Sequence, residues 1–137
     1  RKTPFLWNDS LWLVSLNHNK YMANTDKLSH DEKMRSNFYT GKSCLDRRNF
    51  IFKKIPNTYH IAENILFFSI EKGLNCKETA TNIAKEAFII WKNSKPHNTN
   101  MLDKNFLEHS ISFYINEDLV WGTDVFYKDE NNIQIKK

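Results

Sequence analysis

The strongest constraint on the fold is a run of apolar residues that recurs every three to four positions between Asn75 and Ser94. Its members are Ala80, Ile83, Ala84, Ala87, Ile90 and Trp91. This spacing places them on one face of a helix. Asn75, followed three positions on by Glu78, has the pattern of a capped helix start, and Pro96 cannot continue a helix. The sequence therefore predicts an amphipathic helix from Asn75 to Ser94.

Two helices are predicted before this one. Apolar residues and His18 share one face at helical spacing between Asp9 or Ser10 and Ala23, which predicts the first helix. Ser29 and Glu32 have the Ser-x-x-Glu form of a capping box, and Gly41 supplies a stop, so a second helix is expected between them. A further helical turn is expected around residues 98–102.

Strand patterns come late in the chain. Apolar and polar side chains alternate from Phe106 to Ile115, and after a turn at residues 116–118 an aromatic-rich strand is expected from Leu119 to Tyr127. Together they predict an antiparallel hairpin. A third strand is expected either at residues 50–55 or just before Glu63. Helices followed by a small antiparallel sheet are typical of an α+β layered domain.

Length and composition indicate one globular domain. The chain has 137 residues, of which 40% are hydrophobic and 26% charged, so we expect a single domain over residues 1–137 with its core at about 10–128. The polar tail from Asp129 to Lys137 is expected to fray. No apolar run approaches the ~20 residues that span a bilayer. The net charge of +4 comes from dispersed lysines, which indicates a solvated surface and no nucleic-acid partner.

Two further features concern processing and redox state. The chain opens at Arg1 with neither an initiator methionine nor a signal-peptide pattern, so we interpret it as a processed fragment. Cys44 and Cys76 are its two cysteines, and the sequence leaves open whether they form one disulfide or remain two free thiols.

Three segments, taken in order, resemble motifs of the CAP superfamily in its bacterial form. They are Leu28-Ser29-His30-Asp31 with Arg35, Ala62-Glu63-Asn64-Ile65, and Trp91 to His97 followed by Asn100-Met101-Leu102 and Phe106. This superfamily shares the SCP-like domain of cysteine-rich secretory, antigen 5 and pathogenesis-related proteins. The resemblance covers residues 10–128 and implies a three-layer α-β-α sandwich with a small antiparallel sheet.

The chain departs from the family pattern at two places. Ser110-Ile111-Ser112 stands where the family usually has Gly-x-Gly, and these side chains are expected to crowd the sheet. The family's first helix is missing or reduced to residues 3–7.

The resemblance also implies a cleft that holds two histidines and one or two glutamates. His30 and His97 match the histidines, Glu63 matches the first glutamate, and Ser94 takes the place of the second. Two imidazoles and a carboxylate are the ligand set of an open zinc site, and a helix N-terminus at His30 would keep its ring neutral for the metal. The alternative is a structural polar cluster in which Glu63 bonds the histidines. His18, His60 and His109 match no residue of the family's cleft and are expected to have no role in a functional site.

The family resemblance favours a non-enzymatic extracellular or cell-surface domain that binds something. It implies a monomer whose partner is a lipid, a sterol or a protein, with any membrane attachment through an anchor outside this chain, as in an outer-membrane lipoprotein. Sixteen lysines against four arginines are typical of an AT-rich bacterial genome such as a spirochaete's. The apolar face formed by Trp91, Phe88 and Ile90 is predicted to be core and not a lipid groove.

Two catalytic alternatives remain. The first is a zinc-dependent hydrolase that uses His30, Glu63 and His97. The second is a nucleophilic pair of Ser94 and His97, which lacks the strand-turn-helix geometry that exposes such a serine and has Pro96 between its members.

Overall fold

The computed structural model describes residues 3–129, and in this range the chain forms four helices and four strands. The helices are α1 (Asp9–Thr25), α2 (Cys44–Phe52), α3 (Cys76–Lys92) and α4 (Lys95–Leu102), and the strands are β1 (Leu6–Trp7), β2 (Tyr59–Ser69), β3 (Glu108–Asn116) and β4 (Leu119–Asp129). The strand order in the sheet is β1-β3-β4-β2. β4 pairs antiparallel with both β2 and β3, and the short β1 pairs parallel with β3.

Helices cover both faces of the sheet. On one face, Val125 and Tyr127 of β4 pack against Leu11 and Val14 of α1, and side chains of α2 pack against the same group. On the other face, Leu66 of β2 packs against buried side chains of α3, and Met101 of α4 joins them. This arrangement confirms the predicted three-layer α-β-α sandwich.

Helix α1 is tied to the sheet by polar groups as well as by apolar packing. Ser112 of β3 is buried, and its hydroxyl bonds Ser15 Oγ and Asn19 Nδ2 of α1, both at 2.8 Å. Ser110 Oγ bonds the backbone of Asn8, whose side chain caps α1. The expected crowding at Ser110-Ile111-Ser112 is therefore wrong, because the β3–β4 register continues through it and the hydroxyls fill the space as hydrogen-bonding groups.

The predicted second helix is absent. Residues 26–43, here called the α1–α2 loop, contain no helix. The Glu32 carboxylate was expected to cap a helix at Ser29, but it accepts a hydrogen bond from the backbone N–H of Thr40 and contacts His18. A buried carboxylate needs such partners, and bonding His18 satisfies it inside the protein, where a capping box would have left it at the surface.

A capping box does occur, but later in the chain. Ser43 and Asp46 form it at the start of α2, so the strand expected at residues 50–55 is wrong for residues 50–52, which are helical. Gly41 was predicted as a helix stop and instead allows a close approach. A Cβ at this position would lie 2.7 Å from the backbone nitrogen of Arg47.

The remaining elements follow the sequence pattern more closely. α3 and the β3–β4 hairpin are confirmed to within about two residues at their predicted ends, and β2 includes the alternative placed just before Glu63 but continues to Ser69. Asp129 was expected to begin a frayed tail, yet it is the buried last residue of β4. Residues 130–137 lie outside the described residues.

Two further expectations concern the thiols and the membrane. Cys44 and Cys76 are both free thiols, the first partly buried and the second exposed. No helix in residues 3–129 has the length and apolarity needed to cross a bilayer.

Truncation of Trp91 tests the packing of α3. Trp91 is 1% exposed and donates its indole N–H to the Ile65 carbonyl at 3.2 Å. Phe88 was predicted to be core but is 54% exposed, because it lies one position beyond the inward-facing Ala87. We expect Trp91→Ala to lower the free energy of unfolding by about 3–5 kcal/mol. Phe88→Ala, the matched control on the same helix, should change it by less than about 1 kcal/mol. Equal losses in urea unfolding would contradict this packing.

Candidate functional site

A buried carboxylate on β2 lies at the centre of the predicted cleft. Glu63 Oε2 accepts a hydrogen bond from Arg47 Nη2 at 2.7 Å, and Oε1 accepts one from His30 Nδ1 at 2.9 Å. His18 Nε2 lies 3.8 Å from Oε1. Together with Glu32, which contacts His18, these residues form what we call the Glu63 cluster. Both oxygens of its central carboxylate are already bonded.

Arg47 holds the cluster together from α2. Its side chain is fully buried, and its Nη1 donates to the backbone carbonyls of His30 (3.0 Å), Gly41 (3.4 Å) and Lys42 (2.9 Å). Its Nε lies 3.7 Å from Glu32 Oε2. The guanidinium therefore fastens both ends of the α1–α2 loop to α2 and to β2.

His18 belongs to the cluster, although no partner was predicted for it from the sequence. It is buried on α1 with its Nδ1 2.6 Å from Glu32 Oε2 and its Nε2 2.8 Å from the Ser29 carbonyl oxygen. A histidine on the buried face of a helix needs polar partners, and this requirement was the available signal. Glu32 stands 14 positions later in the chain, in the segment interpreted as a helix.

The charges in the cluster shift two pKa values in opposite directions. Burial alone would raise the pKa of Glu63, but the charge of His18, the hydrogen bond from His30 and the charge of Arg47 outweigh it and lower the pKa to about 2. The hydrogen bond to Glu63 raises the pKa of His30 against the opposing effect of its partial burial. The expectation of a neutral ring at a helix N-terminus is thus wrong, because no helix begins at His30.

His97 lies near the cluster without bonding to it. It stands in the first turn of α4, and its backbone carbonyl accepts from Asn64 Nδ2 at 3.1 Å, which fixes α4 to β2 next to Glu63. Burial lowers the pKa of His97, and the charge of His30 lowers it further. Its Nδ1 is buried and has no hydrogen-bond partner within residues 3–129. Ser94 occupies the N-cap position of α4, where its hydroxyl forms no capping hydrogen bond.

Comparison with known proteins identifies the family to which this fold belongs. The sequence model of the cysteine-rich secretory protein family, CAP, matches residues 1–121. The chain belongs to the CAP family. No curated protein sequence matches it significantly.

Two solved structures resemble this CAP domain in fold. An extracellular protein from Bacillus anthracis that contains an SCP domain aligns with a TM-score of 0.61 and 20% identity, over 93% of this chain and 34% of that protein. An outer surface protein from Borrelia burgdorferi aligns with a TM-score of 0.60 and 14% identity, over 93% of this chain and 80% of that one. The chain thus spans about a third of the length of the first protein.

The arrangement around Glu63 in this CAP domain does not fit the zinc site predicted from His30, Glu63 and His97. Within residues 3–129, no group of three or more histidine, cysteine, aspartate or glutamate side chains is arranged to hold a metal ion. Zinc would need a carboxylate oxygen that is here bonded to His30 or to Arg47, and the buried guanidinium would repel the cation.

The cluster also contains no activated nucleophile. Cys44 lies next to Glu63 and Arg47, but burial raises the pKa of its thiol well above the ordinary value, and the charge of Glu63 adds to this effect. A thiol that stays protonated is a poor nucleophile. Cys44 is therefore not activated as a nucleophile by its charged neighbours.

The pKa of Glu63 predicts how stability depends on pH. Because its pKa falls from 4.5 to about 2 on folding, the carboxylate stabilises the fold above pH 4.5, and this contribution is lost as the pH falls toward 2. The lost contribution is about 3 kcal/mol. As the pH is lowered from 5 to 2, we expect the free energy of unfolding, measured in urea, to fall more steeply for the wild type than for Glu63→Gln.

His30 should affect the pH dependence of stability near neutral pH. Its pKa is raised on folding, so its contribution is present below pH 6.5 and is lost as the pH rises through the folded-state value. His30→Gln should remove this loss, and His60→Gln, an exposed position on the same strand as Glu63, is the matched control. Parallel pH profiles for the wild type, Glu63→Gln and His30→Gln would contradict the geometry of the cluster.

Proposed function

We propose that this CAP domain is a non-enzymatic binding module that acts outside the cell or at its surface. The location is supported by the two structural relatives, one an extracellular protein and the other an outer surface protein. The absence of catalysis is supported by one observation above all. The Glu63 carboxylate is bonded on both oxygens to Arg47 and His30.

Such a carboxylate is unsuited to acid-base or metal chemistry. A general base must be free to reach the proton that it removes and should have a pKa near the working pH, whereas the pKa of Glu63 is about 2. A metal ion bound to it would lie beside the buried Arg47 guanidinium, which would repel the cation. The role of the cluster in this proposal is to hold the α1–α2 loop in one conformation, because binding residues are commonly carried by loops on a rigid scaffold.

The contacts of α3 bear on the kind of partner. Trp91 and Ile90 pack in the core with Leu66 and Ala87, so an apolar ligand would have to displace core side chains to lie beneath this helix. We therefore favour a partner that contacts the outer surface of the domain over a sterol or fatty acid enclosed under α3.

Zinc titration and hydrolysis assays test the proposal together. We expect calorimetry to give the same heat when zinc is added to the wild type and to a His30→Ala/His97→Ala double variant, because the donors do not form a ligand set. We also expect no turnover of peptide or ester substrates with or without added zinc. Saturable zinc binding that the double variant loses, or turnover that His30→Ala abolishes, would overturn the proposal in favour of a hydrolase.

A further inference from the structure

We propose that a hollow beneath the α1–α2 loop binds an anion of the phosphate type. The hollow has a volume of about 380 Å³ and is lined by Tyr21, Lys27, Ser29, Asp31, Lys33 and Ser36, with Thr25 at its edge. It lies on the loop that carries His30, but it shares no side chain with the Glu63 cluster. The inference therefore goes beyond the proposed function, since it assigns a second site and a class of ligand.

The charge of the lining favours an anion. Lys27 and Lys33 contribute two ammonium groups, and Asp31 contributes the one carboxylate among the lining residues. Neither lysine forms an ion pair with any residue in the range 3–129; the one lysine that does is Lys72, which pairs with Asp118. The hollow thus carries a net positive charge that the neighbouring protein does not neutralise.

The hydroxyl groups of the lining add free hydrogen-bond donors. Tyr21, 4% exposed, accepts a hydrogen bond at its hydroxyl oxygen from the Lys33 backbone N–H at 2.7 Å, so its own O–H remains available. Ser29 Oγ likewise accepts from the Asp31 backbone N–H at 3.1 Å and keeps its hydrogen. Ser36 supplies a third hydroxyl. Phosphate oxygens accept several such bonds at once, and bonds to a charged acceptor are the strong ones.

Hydrogen bonds at the end of α1 reduce its repulsion of an anion. The last carbonyls of a helix carry partial negative charge and would repel one if they were exposed. In this helix two of the last four carbonyls are already bonded. The Lys27 backbone N–H donates to the Met22 carbonyl at 3.1 Å, and the Asp26 backbone N–H donates to the Ala23 carbonyl at 3.4 Å.

The hollow is held open by the cluster beside it. Ser29 and Asp31 flank His30, which is bonded to Glu63, and the Glu32 backbone N–H donates to the Lys42 carbonyl at 3.0 Å. A site held in its binding conformation loses less entropy when a ligand arrives. Its volume lies at the lower end of the range for small-molecule sites, which suits a phosphate carrying a small organic group, either in solution or as a lipid headgroup.

The test uses glycerol 3-phosphate as the soluble probe and glycerol as its uncharged control. Binding is followed by NMR, from the chemical shifts of the backbone amides of the whole chain. We expect saturable shifts around Ser29 and Ser36 with glycerol 3-phosphate only. Lys27→Gln/Lys33→Gln should weaken binding at least tenfold. Lys85→Gln/Lys104→Gln, which removes the same charge from exposed positions outside the hollow, should change it less than twofold.

Binding to vesicles distinguishes a lipid headgroup from a soluble phosphate as the ligand. Cosedimentation with phosphatidylglycerol vesicles but not with phosphatidylcholine vesicles, lost in Lys27→Gln/Lys33→Gln, would support the site with a lipid headgroup as its ligand. Binding to neither probe, or equal weakening by both pairs of lysine substitutions, would overturn the proposal. Ser36→Ala retains all charges but removes one hydroxyl of the lining, so it should weaken the binding of glycerol 3-phosphate. The zinc result has no bearing on these outcomes, so the two proposals fail separately.

Discussion

The contact between Arg47 and Glu63 is the interaction on which the rest of this structure depends. Both side chains are buried, and the 2.7 Å bond between them joins α2 to β2. Removing two charges from water is costly and is offset only when the remaining polar atoms are also bonded. Here the offset comes from three loop carbonyls, His30 and His18, while Arg47 Nε has no hydrogen-bond partner within residues 3–129 and lies 3.7 Å from Glu32 Oε2. The need to satisfy one ion pair thereby determines the path of the α1–α2 loop.

The same interaction explains what the sequence could predict and what it could not. Periodicity predicted α3 and β3 because one buried face decides each of them, whereas β4 is buried along nearly its whole length and was predicted from its aromatic residues after a turn. The family motif around Glu63 also pointed to His30, which the structure places in contact with it. The α1–α2 loop escaped prediction because its conformation follows from Arg47, and a single arginine carries no periodic pattern that reveals its partners.

The chemistry of the cluster connects this fold to the proposed function. In this member of the CAP family, the acidic group at the centre of the Glu63 cluster is paired with an arginine, and its low pKa reflects the charge of His18, the hydrogen bond from His30 and the charge of Arg47. The hydrogen bonds that offset its desolvation also hold the α1–α2 loop in place. That loop contributes two lysines and two serine hydroxyls to the hollow, and Tyr21 of α1 adds a third hydroxyl, so in both proposals the cluster supports a binding surface.

A double-mutant cycle on Arg47 and Glu63 is the most direct measurement of this account. Urea unfolding of Arg47→Met, Glu63→Gln and the double variant gives the coupling energy between the two side chains. Each single substitution leaves a buried charge without its partner, so each should cost about 3–5 kcal/mol. The double variant should cost at least ~2 kcal/mol less than the sum of the two. Costs that add to within ~0.5 kcal/mol would contradict the account, because they would mean that the two charges do not depend on each other.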